Sequence, residues 1–278
     1  MKNLLIAVAL FSFFSCRQET RDTNNLAMCH DPKAQFASFA ENPEFRKAHP
    51  DPLPFDGEFT GALVKFPVSG GADAGAYLVK SRKKTDKYLL LCHEWWGLND
   101  YVKKEADMWS KELKINVLAL DLYDGKVAQN SDEAGKYMQG ADPKRLEAII
   151  AAAGIYAGPT ADFRTMGWCF GGGWSLKAAL ILKDKVKKCV MYYGMPETDV
   201  EKLKTLSTDV VLIHPTQDKW ITGEVVAEFE KNMKAAGKKL SVYDYDADHA
   251  FANPSSPRYN EAAAKASRAI VKKYLLDK

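Results

Sequence analysis

The chain has 278 residues, of which 46% are apolar and 27% charged, a composition typical of a globular protein with a large core. Its 39 basic and 36 acidic residues are spread along the chain and give a net charge of +3, without the basic block that binding to a phosphate backbone requires. The composition argues against a nucleic-acid-binding protein, and the length favours one α/β domain behind an N-terminal extension.

Residues 1–16 predict a secretory signal, because Lys2 precedes an apolar run that is too short to span a bilayer. The run ends at Ser15 and Cys16, as in bacterial lipoprotein signals, in which cleavage leaves a lipid-bearing cysteine. Plain secretion and an uncleaved anchor are the alternatives. We expect an exported protein held at the periplasmic or surface side of a bacterial membrane through a lipid on Cys16, with no other membrane contact.

Residues 17–57 are polar and contain five prolines, which predicts a tether with one short helix near Phe36–Phe45. Residues 58–278 are assigned to the globular domain. Alternating strand and helix patterns there predict an α/β fold, a mainly parallel central sheet with helices on both faces, whose ligands bind at the carboxyl ends of the strands. The predicted strands are Ala62–Val68, Ala76–Lys80, Tyr88–Cys92, Asn116–Leu120, Thr165–Trp168, Lys188–Tyr193, Asp209–Ile213 and Leu240–Tyr245. The predicted helices are Tyr101–Leu113, Pro143–Tyr156, Trp174–Leu182, Gly223–Ala236 and Arg258–Leu276.

The cysteines indicate neither a disulfide framework nor a metal site. Cys92 and Cys189 lie in apolar runs, which predicts small core residues. Cys29 is followed by His30, but a zinc site needs a second ligand pair and the neighbouring sequence supplies none. We predict no metal.

One cysteine lies where a nucleophile is expected. Cys169 follows a predicted strand, precedes a predicted helix, and has Gly167 and Gly171 two residues to either side. This is the G-x-S-x-G nucleophile elbow with sulfur in place of oxygen; the glycines relieve crowding in a sharp turn, and the helix N-terminus favours a thiolate. The alternatives are a buried cysteine beside a packing turn and a phosphate loop, but the latter requires Lys-Ser or Lys-Thr where this chain has Trp174 and Ser175.

An acid and a base follow the elbow in the order that such enzymes use. Asp218 lies in a loop after one predicted strand, and His249 lies in a loop after the last predicted strand. His214 is a rival base because it also ends a strand, but its position four residues before Asp218 favours a role in supporting that loop.

The loop after the strand Tyr88–Cys92 is a candidate for oxyanion binding. In elbow hydrolases this loop and the residue after the nucleophile each supply one backbone N–H. Here these donors are the amides of Trp95 and Phe170. Aromatic residues near the predicted strand ends, namely Trp96, Tyr123 and Trp220, are candidates for the wall of a substrate pocket, although each is also a plausible core residue.

Several motifs together resemble the dienelactone hydrolase family of α/β-hydrolases over Phe59–Leu275. They are Leu91-Cys92-His93-Glu94-Trp95-Trp96-Gly97, Asp121-Leu122-Tyr123, Gly167-Trp168-Cys169-Phe170-Gly171-Gly172, Tyr192-Tyr193-Gly194, Gln217-Asp218 and His249-Ala250-Phe251. The resemblance implies an α/β-hydrolase fold with Cys169 as nucleophile, His249 as base and Asp218 as its orienting acid. It also matches Glu94 to a glutamate that protects the resting cysteine and moves when substrate binds; a structural buried acid is the alternative.

Two positions depart from the family pattern. Where the family binds the substrate carboxylate with arginines, this chain has Gly125 and Asn253. Lys126 and Arg258 lie nearby but do not match, and a lysine does not reproduce a guanidinium fork. We therefore expect an ester or lactone substrate, and no efficient turnover of dienelactone itself.

These observations predict a monomeric hydrolase that cleaves a small carboxylic ester or lactone through a cysteine acyl-enzyme, without metal or organic cofactor. One alternative is a catalytically silent, lipid-anchored binding protein, because a fold alone does not establish activity. The other is a thioesterase or acyl transferase, because a cysteine acyl-enzyme can pass its acyl group to acceptors other than water.

Overall fold

The computed structural model describes residues 38–277, in which eight strands form a single sheet. The strands are β1 (Ala62–Phe66), β2 (Ala74–Val79), β3 (Lys87–Cys92), β4 (Asn116–Leu120), β5 (Asp162–Trp168), β6 (Val186–Tyr192), β7 (Val210–Pro215) and β8 (Leu240–Tyr245). The helices are α1 (Pro43–Lys47), α2 (Asp100–Leu113), α3 (Ser131–Gly140), α4 (Pro143–Tyr156), α5 (Phe170–Leu182), α6 (Val200–Lys204), α7 (Gly223–Ala235) and α8 (Glu261–Leu276). A 3-10 turn, Lys183–Lys185, follows α5.

The sheet is mainly parallel, which confirms the prediction. The strand order is β1-β2-β4-β3-β5-β6-β7-β8, and β2 runs antiparallel to both of its neighbours while the remaining pairs are parallel. After β4 the chain crosses β3 and continues with β5 on the other side of β3. The crevice at the carboxyl ends of β3 and β5 is therefore a topological switch point, where such sheets bind ligands. The register pairs Cys92 with Gly167, so the segments that follow β3 and β5 lie side by side.

The main differences between the predicted and observed helices have local causes. Helix α5 begins at Phe170 rather than Trp174, because the glycines that weaken its sequence signal lie inside the helix and pack against neighbouring backbone. Helix α3 was not predicted. Its N-cap Asn130 accepts a hydrogen bond from the amide of Glu133, whose carboxylate accepts one from the amide of Gln129. The predicted strand boundaries differ from the observed ones by three residues or fewer.

The described part of the predicted tether packs against the globular domain. Helix α1 lies within the range 17–57, and Phe45 in this helix is fully buried against the rings of Trp95 and Trp220. A tether alone does not predict this contact. The predicted signal sequence, the lipidation candidate Cys16 and the Cys29-His30 pair all lie outside the described residues.

The two cysteines predicted in the core are buried and free, which confirms that prediction. Burial raises the pKa of Cys189 to about 11 and raises that of Cys92 further. Over residues 38–277 no helix is long and apolar enough to cross a membrane. The same residues contain no group of three or more His, Cys, Asp and Glu side chains that could hold a metal ion.

Candidate active site

Cys169 lies on a strained turn between β5 and α5. Its backbone has φ 54° and ψ −119°, a conformation that side chains other than glycine rarely adopt. Glycine is required on both sides. A Cβ on Gly167 would overlap the carbonyl oxygen of Gly171, and one on Gly171 would overlap the carbonyl oxygens of Cys92 and His93. The tight packing that forces this turn is therefore already encoded in the glycine spacing.

The thiol of Cys169 is almost completely buried, with 1% of the residue exposed. Burial raises its pKa, whereas the neighbouring His249 and a hydrogen bond from the amide of Phe170 act in the opposite direction without fully offsetting burial. The resting sulfur therefore retains its proton and depends on a base for activation.

His249 and Asp218 form a buried pair in the loops that follow β8 and β7. The imidazole Nδ1–H donates to Oδ2 of Asp218 at 2.6 Å, and both side chains are fully excluded from solvent. The other carboxylate oxygen accepts hydrogen bonds from the backbone amides of Trp220 at 2.9 Å and Ile221 at 3.0 Å. These contacts fix the orientation of the carboxylate and place the His249 proton on Nδ1, which leaves the Nε2 lone pair available to the thiol.

The charge of Asp218 makes His249 a stronger base. Burial alone would lower the pKa of His249, but the Asp218 carboxylate and the negative charge that Cys169 acquires as a thiolate outweigh burial, so the pKa of the imidazole lies well above its ordinary value once the thiol has lost its proton. Nε2 is buried and faces the sulfur of Cys169, the side chain with which it can share a proton. The structure thus brings the three predicted residues together, with the free imidazole nitrogen beside the thiol.

His214, the rival base, is occupied elsewhere. Its Nδ1 lies 2.8 Å from Oδ1 of Asp244, and its Nε2 lies 2.9 Å from the carbonyl oxygen of Ile221. Because Ile221 also donates its amide to Asp218, His214 supports the loop that carries the acid.

The two predicted oxyanion donors follow adjacent strand ends. Phe170 is the first residue of α5, directly after Cys169, and Trp95 lies three residues after Cys92 at the end of β3. The amide of Phe170 points to the sulfur of Cys169. An oxygen of a bound carbonyl group beside that sulfur would lie near the positive end of α5.

Glu94 is buried close to the thiol, and it is bound by residues that sequence reasoning had not placed in the site. Oε2 accepts a hydrogen bond from Nδ2 of Asn253 at 2.6 Å, and Oε1 accepts one from the hydroxyl of Tyr193 at 3.4 Å. Burial raises the pKa of Glu94 to about 7. The sequence signal for Asn253 was its place where the family pattern has an arginine, but nothing in the sequence indicated that it would contact Glu94.

A groove opens beside Glu94. Its walls include Trp96, Tyr101, Trp168, Asn253 and Pro254. Of the three predicted pocket residues, Trp96 lines this groove. The other two lie elsewhere around the nucleophile: the ring of Tyr123 lies 5.5 Å from that of Phe170, and the ring of Trp220 lies 5.3 Å from that of His249.

The basic residues near the missing arginines do not line this groove. Nζ of Lys126 lies 5.7 Å from the ring centre of Tyr137. Arg258 pairs through Nε with Oδ2 of Asp248 at 3.3 Å, and Oδ1 of Asp248 accepts a hydrogen bond from the amide of His249 at 2.7 Å. Arg258 therefore supports the histidine loop.

Comparisons with known proteins identify the family of this chain. The chain matches the model of the dienelactone hydrolase family over residues 74–277. Protein usf of Aquifex pyrophilus is 26% identical over 206 residues, which span 69% of this chain and 87% of that protein. The carboxymethylenebutenolidase of a Pseudomonas species is 24% identical over 216 residues, which span 73% and 89%. A solved dienelactone hydrolase-like promiscuous phosphotriesterase from metagenomic libraries superposes with a TM-score of 0.67 at 19% identity, covering 77% of this chain and 97% of that one, in keeping with the predicted α/β-hydrolase fold. Since the family match covers most of the chain, the protein belongs to the dienelactone hydrolase family and is a dienelactone hydrolase-like hydrolase of the carboxylic ester class.

Proposed function

We propose that the protein hydrolyses a neutral carboxylic ester or lactone through Cys169, His249 and Asp218, with a cysteine acyl-enzyme as intermediate. One observation carries this proposal. A thiol on a strained strand-to-helix turn lies beside an imidazole whose Nδ1–H is held by a buried carboxylate at 2.6 Å. This arrangement activates a nucleophile that would otherwise remain protonated.

In the first half of the reaction, Nε2 of His249 removes the thiol proton while the sulfur of Cys169 attacks the carbonyl carbon of the substrate. The amides of Trp95 and Phe170 stabilise the negative oxygen that forms. As the tetrahedral intermediate collapses, the bond to the alcohol oxygen breaks and His249 gives its proton to that oxygen. The products are a thioester on Cys169 and an alcohol, which stays attached to the acyl group when the substrate is a lactone.

In the second half, water replaces the alcohol. Nε2 of His249 takes one proton from the water as its oxygen attacks the thioester carbon, and the same two amides stabilise the oxyanion. The carbon–sulfur bond then breaks, and His249 returns the proton to the sulfur of Cys169. The carboxylic acid product leaves, and the enzyme regains its initial state.

We assign the groove to the substrate because Glu94, which lines it, lies close to Cys169, and its walls favour an uncharged substrate. Its titratable residues include Glu94 and Glu105, and no lysine or arginine contributes to its walls in the described chain. A substrate carboxylate would meet these acids without a guanidinium fork to bind it. The name of the related Pseudomonas protein, carboxymethylenebutenolidase, suggests a lactone ring as the reacting group. We therefore propose that neutral lactones and aryl esters react faster than their carboxylated counterparts.

The test is hydrolysis of p-nitrophenyl acetate, followed by nitrophenolate release and by intact-protein mass spectrometry. We expect turnover by the wild type, none above background in Cys169→Ala, and a transient acetyl adduct that maps to Cys169. A wild type with neither nitrophenolate release nor an adduct would favour a silent binding protein. Faster release with added thiols or alcohols, accompanied by the transfer product, would favour an acyl transferase. A panel of neutral and carboxylated lactones then tests the preference for uncharged substrates.

We further propose, from the sequence of residues 1–16, that the protein is exported and carries a lipid on Cys16. Metabolic labelling with palmitate in a bacterial host should mark the wild type and leave the Cys16→Ser variant unlabelled. Label that persists in the variant contradicts lipid attachment at this cysteine.

A further inference from the structure

The segment that carries helix α1 forms one wall of the candidate active site, although it lies before the family match, which begins at residue 74. The ring of Phe45 lies 5.1 Å from that of Trp95 and 5.0 Å from that of Trp220, with an edge-on geometry in both contacts. Its ring centre is 6.2 Å from that of His249. This segment therefore places a layer of side chains directly over His249.

An ion pair with α3 joins this segment to the domain, and further polar contacts lie within the segment itself. Asn42 caps α1 by accepting a hydrogen bond from the amide of Glu44 at 2.8 Å. Arg46 donates through Nε to the carbonyl oxygen of Ala40 at 2.6 Å and pairs through Nη1 with Asp132 of α3 at 3.0 Å. Because the ion pair with Asp132 is exposed and exposed pairs contribute little, the burial of Phe45 contributes most to the position of the segment.

His49, which follows α1, brings a second imidazole to the site. Its ring lies 5.4 Å from that of His249 and 5.0 Å from that of Trp95, measured between centres. Its Nδ1 lies 2.7 Å from the carbonyl oxygen of Phe45, which requires the proton to be on Nδ1. Nε2 is then a hydrogen-bond acceptor, and it is buried without a partner among the described residues.

The charge around His49 keeps this acceptor available. Burial lowers the pKa of His49 to about 3, and the positive charges of His249 and Arg258 act in the same direction, while the hydrogen bond to Phe45 opposes them. The ring is therefore neutral near pH 7. It can accept a hydrogen bond but is too weak a base to remove a proton from water.

The unpartnered atoms on these adjacent rings match the hydrogen-bonding capacity of one water molecule. Nε2 of His49 is an acceptor, Nε2 of His249 becomes an acceptor once the sulfur is esterified, and the buried Nε1–H of Trp95 is a donor without a partner in the described chain. A buried acceptor left unpaired costs about 1–3 kcal/mol, so an unpaired group in a native structure calls for a functional explanation.

We propose that His49 is a positioning residue that orients the hydrolytic water during deacylation; this inference rests on the acyl-enzyme mechanism proposed above. One O–H bond of the water donates to Nε2 of His49 and stays intact. The other O–H bond breaks as its proton passes to Nε2 of His249, while the water oxygen forms a bond to the thioester carbon. The carbon–sulfur bond then breaks, and His249 returns that proton to the sulfur of Cys169.

The test separates acylation from deacylation in two matched variants of the full chain. His49→Phe preserves a planar ring of similar size and removes the acceptor, whereas His49→Gln offers a side-chain carbonyl oxygen in its place. Excess enzyme is mixed rapidly with limiting p-nitrophenyl acetate. Nitrophenolate release reports acylation, and quench-flow mass spectrometry of the acetyl adduct on Cys169 reports deacylation.

We expect His49→Phe to acylate within about twofold of the wild type and to lose the adduct about 3- to 10-fold more slowly, the effect of one neutral hydrogen bond. His49→Gln should recover most of the deacylation rate. Equal slowing of both steps, or an unchanged lifetime of the adduct in His49→Phe, would overturn the inference. A wild type that never forms the adduct would refute the underlying mechanism instead, so the two failures are distinguishable. Should His49→Phe not fold, as judged by circular dichroism, His49→Leu provides the same comparison with His49→Gln.

Discussion

Replacing Asp218 by Asn tests whether this carboxylate determines the tautomer of His249. Oδ1 of Asp218 accepts two backbone hydrogen bonds, from Trp220 at 2.9 Å and Ile221 at 3.0 Å, and Oδ2 accepts the Nδ1–H of His249 at 2.6 Å. In the Asp218→Asn variant, the amide oxygen has to face the two backbone donors. The NH2 group is then directed at Nδ1 of His249.

The chemical consequence follows from this enforced orientation. An NH2 donor requires an unprotonated Nδ1, so the imidazole proton moves to Nε2 and no lone pair remains to take the thiol proton. The matching substitution in a Ser-His-Asp triad lowers kcat by about 10⁴-fold. Because a thiol is more acidic than a serine hydroxyl, we expect a smaller loss here, about 10³-fold or roughly 4 kcal/mol in the acylation step.

The assay is kcat/KM for p-nitrophenyl acetate, with Tm measured on the same samples. Asp248→Asn is the matched control. Its amide oxygen can still accept the hydrogen bond that Asp248 receives from the amide of His249 at 2.7 Å, and only the partly exposed pairing with Arg258 is weakened, so activity should stay within about fivefold of the wild type. The reasoning is refuted if Asp218→Asn is folded and keeps more than about a tenth of wild-type activity.

Three further substitutions test the packing around Gly171, the proton affinity of Glu94 and the shielding of the active-site thiol by Phe45. Gly171→Ala introduces a Cβ that overlaps backbone carbonyl oxygens at the end of β3, so we expect a fall in Tm of more than about 10 °C, whereas Gly140→Ala, in open space, should leave Tm nearly unchanged. Burial raises the pKa of Glu94 from 4.5 to about 7, so the folded state binds this proton more tightly than the unfolded state and the free energy of unfolding falls as pH rises between these values. Glu94→Gln should therefore gain about 3 kcal/mol over the wild type above pH 7 and nothing below pH 4.5, as measured by denaturant unfolding across that range. Phe45→Ala removes the fully buried ring that covers His249, so the thiol of Cys169 should react with iodoacetamide about tenfold faster or more while the variant stays folded. Phe59→Ala is the control and should leave this rate unchanged, because the ring of Phe59 is already 38% exposed.

That Cys169, Asp218 and His249 lie close together was predictable, because a parallel sheet brings the segments that follow its strands to one edge. Cys169, Asp218 and His249 each follow a predicted strand, and the carboxyl ends of parallel strands lie at one edge. The turn at Cys169 was also predictable, because glycines occupy the two positions at which a Cβ would overlap neighbouring backbone. These features depend on strand order and on local turn geometry, both of which can be predicted from sequence patterns.

The remaining contacts of the site join segments that are distant in sequence. Local sequence patterns do not predict which of these segments pack together. The proline-rich composition of residues 17–57 indicates a tether. Phe45 is nevertheless fully buried, because its ring packs against Trp95 and Trp220, which lie in loops distant in sequence. His49 follows from the same docking. Asn253 was identified only as a departure from the family pattern, and its contact with Glu94 joins residues 159 positions apart.

Two buried carboxylates, Asp218 and Glu94, lie beside the cysteine and histidine. Their different hydrogen bonds explain why Asp218, and not Glu94, is suited to stabilise a positively charged imidazole in the proposed mechanism. Asp218 accepts from two backbone amides and from Nδ1–H of His249, so its negative charge faces three donors at 3.0 Å or less. Glu94 accepts from one side-chain amide at 2.6 Å and from a hydroxyl at 3.4 Å, which leaves burial dominant and raises its pKa to about 7. Asp218 can therefore stabilise an imidazolium throughout the cycle. Glu94, by contrast, can gain or lose a proton near neutral pH, so a substrate that displaces its hydrogen bond to Asn253 would also change the charge beside the nucleophile.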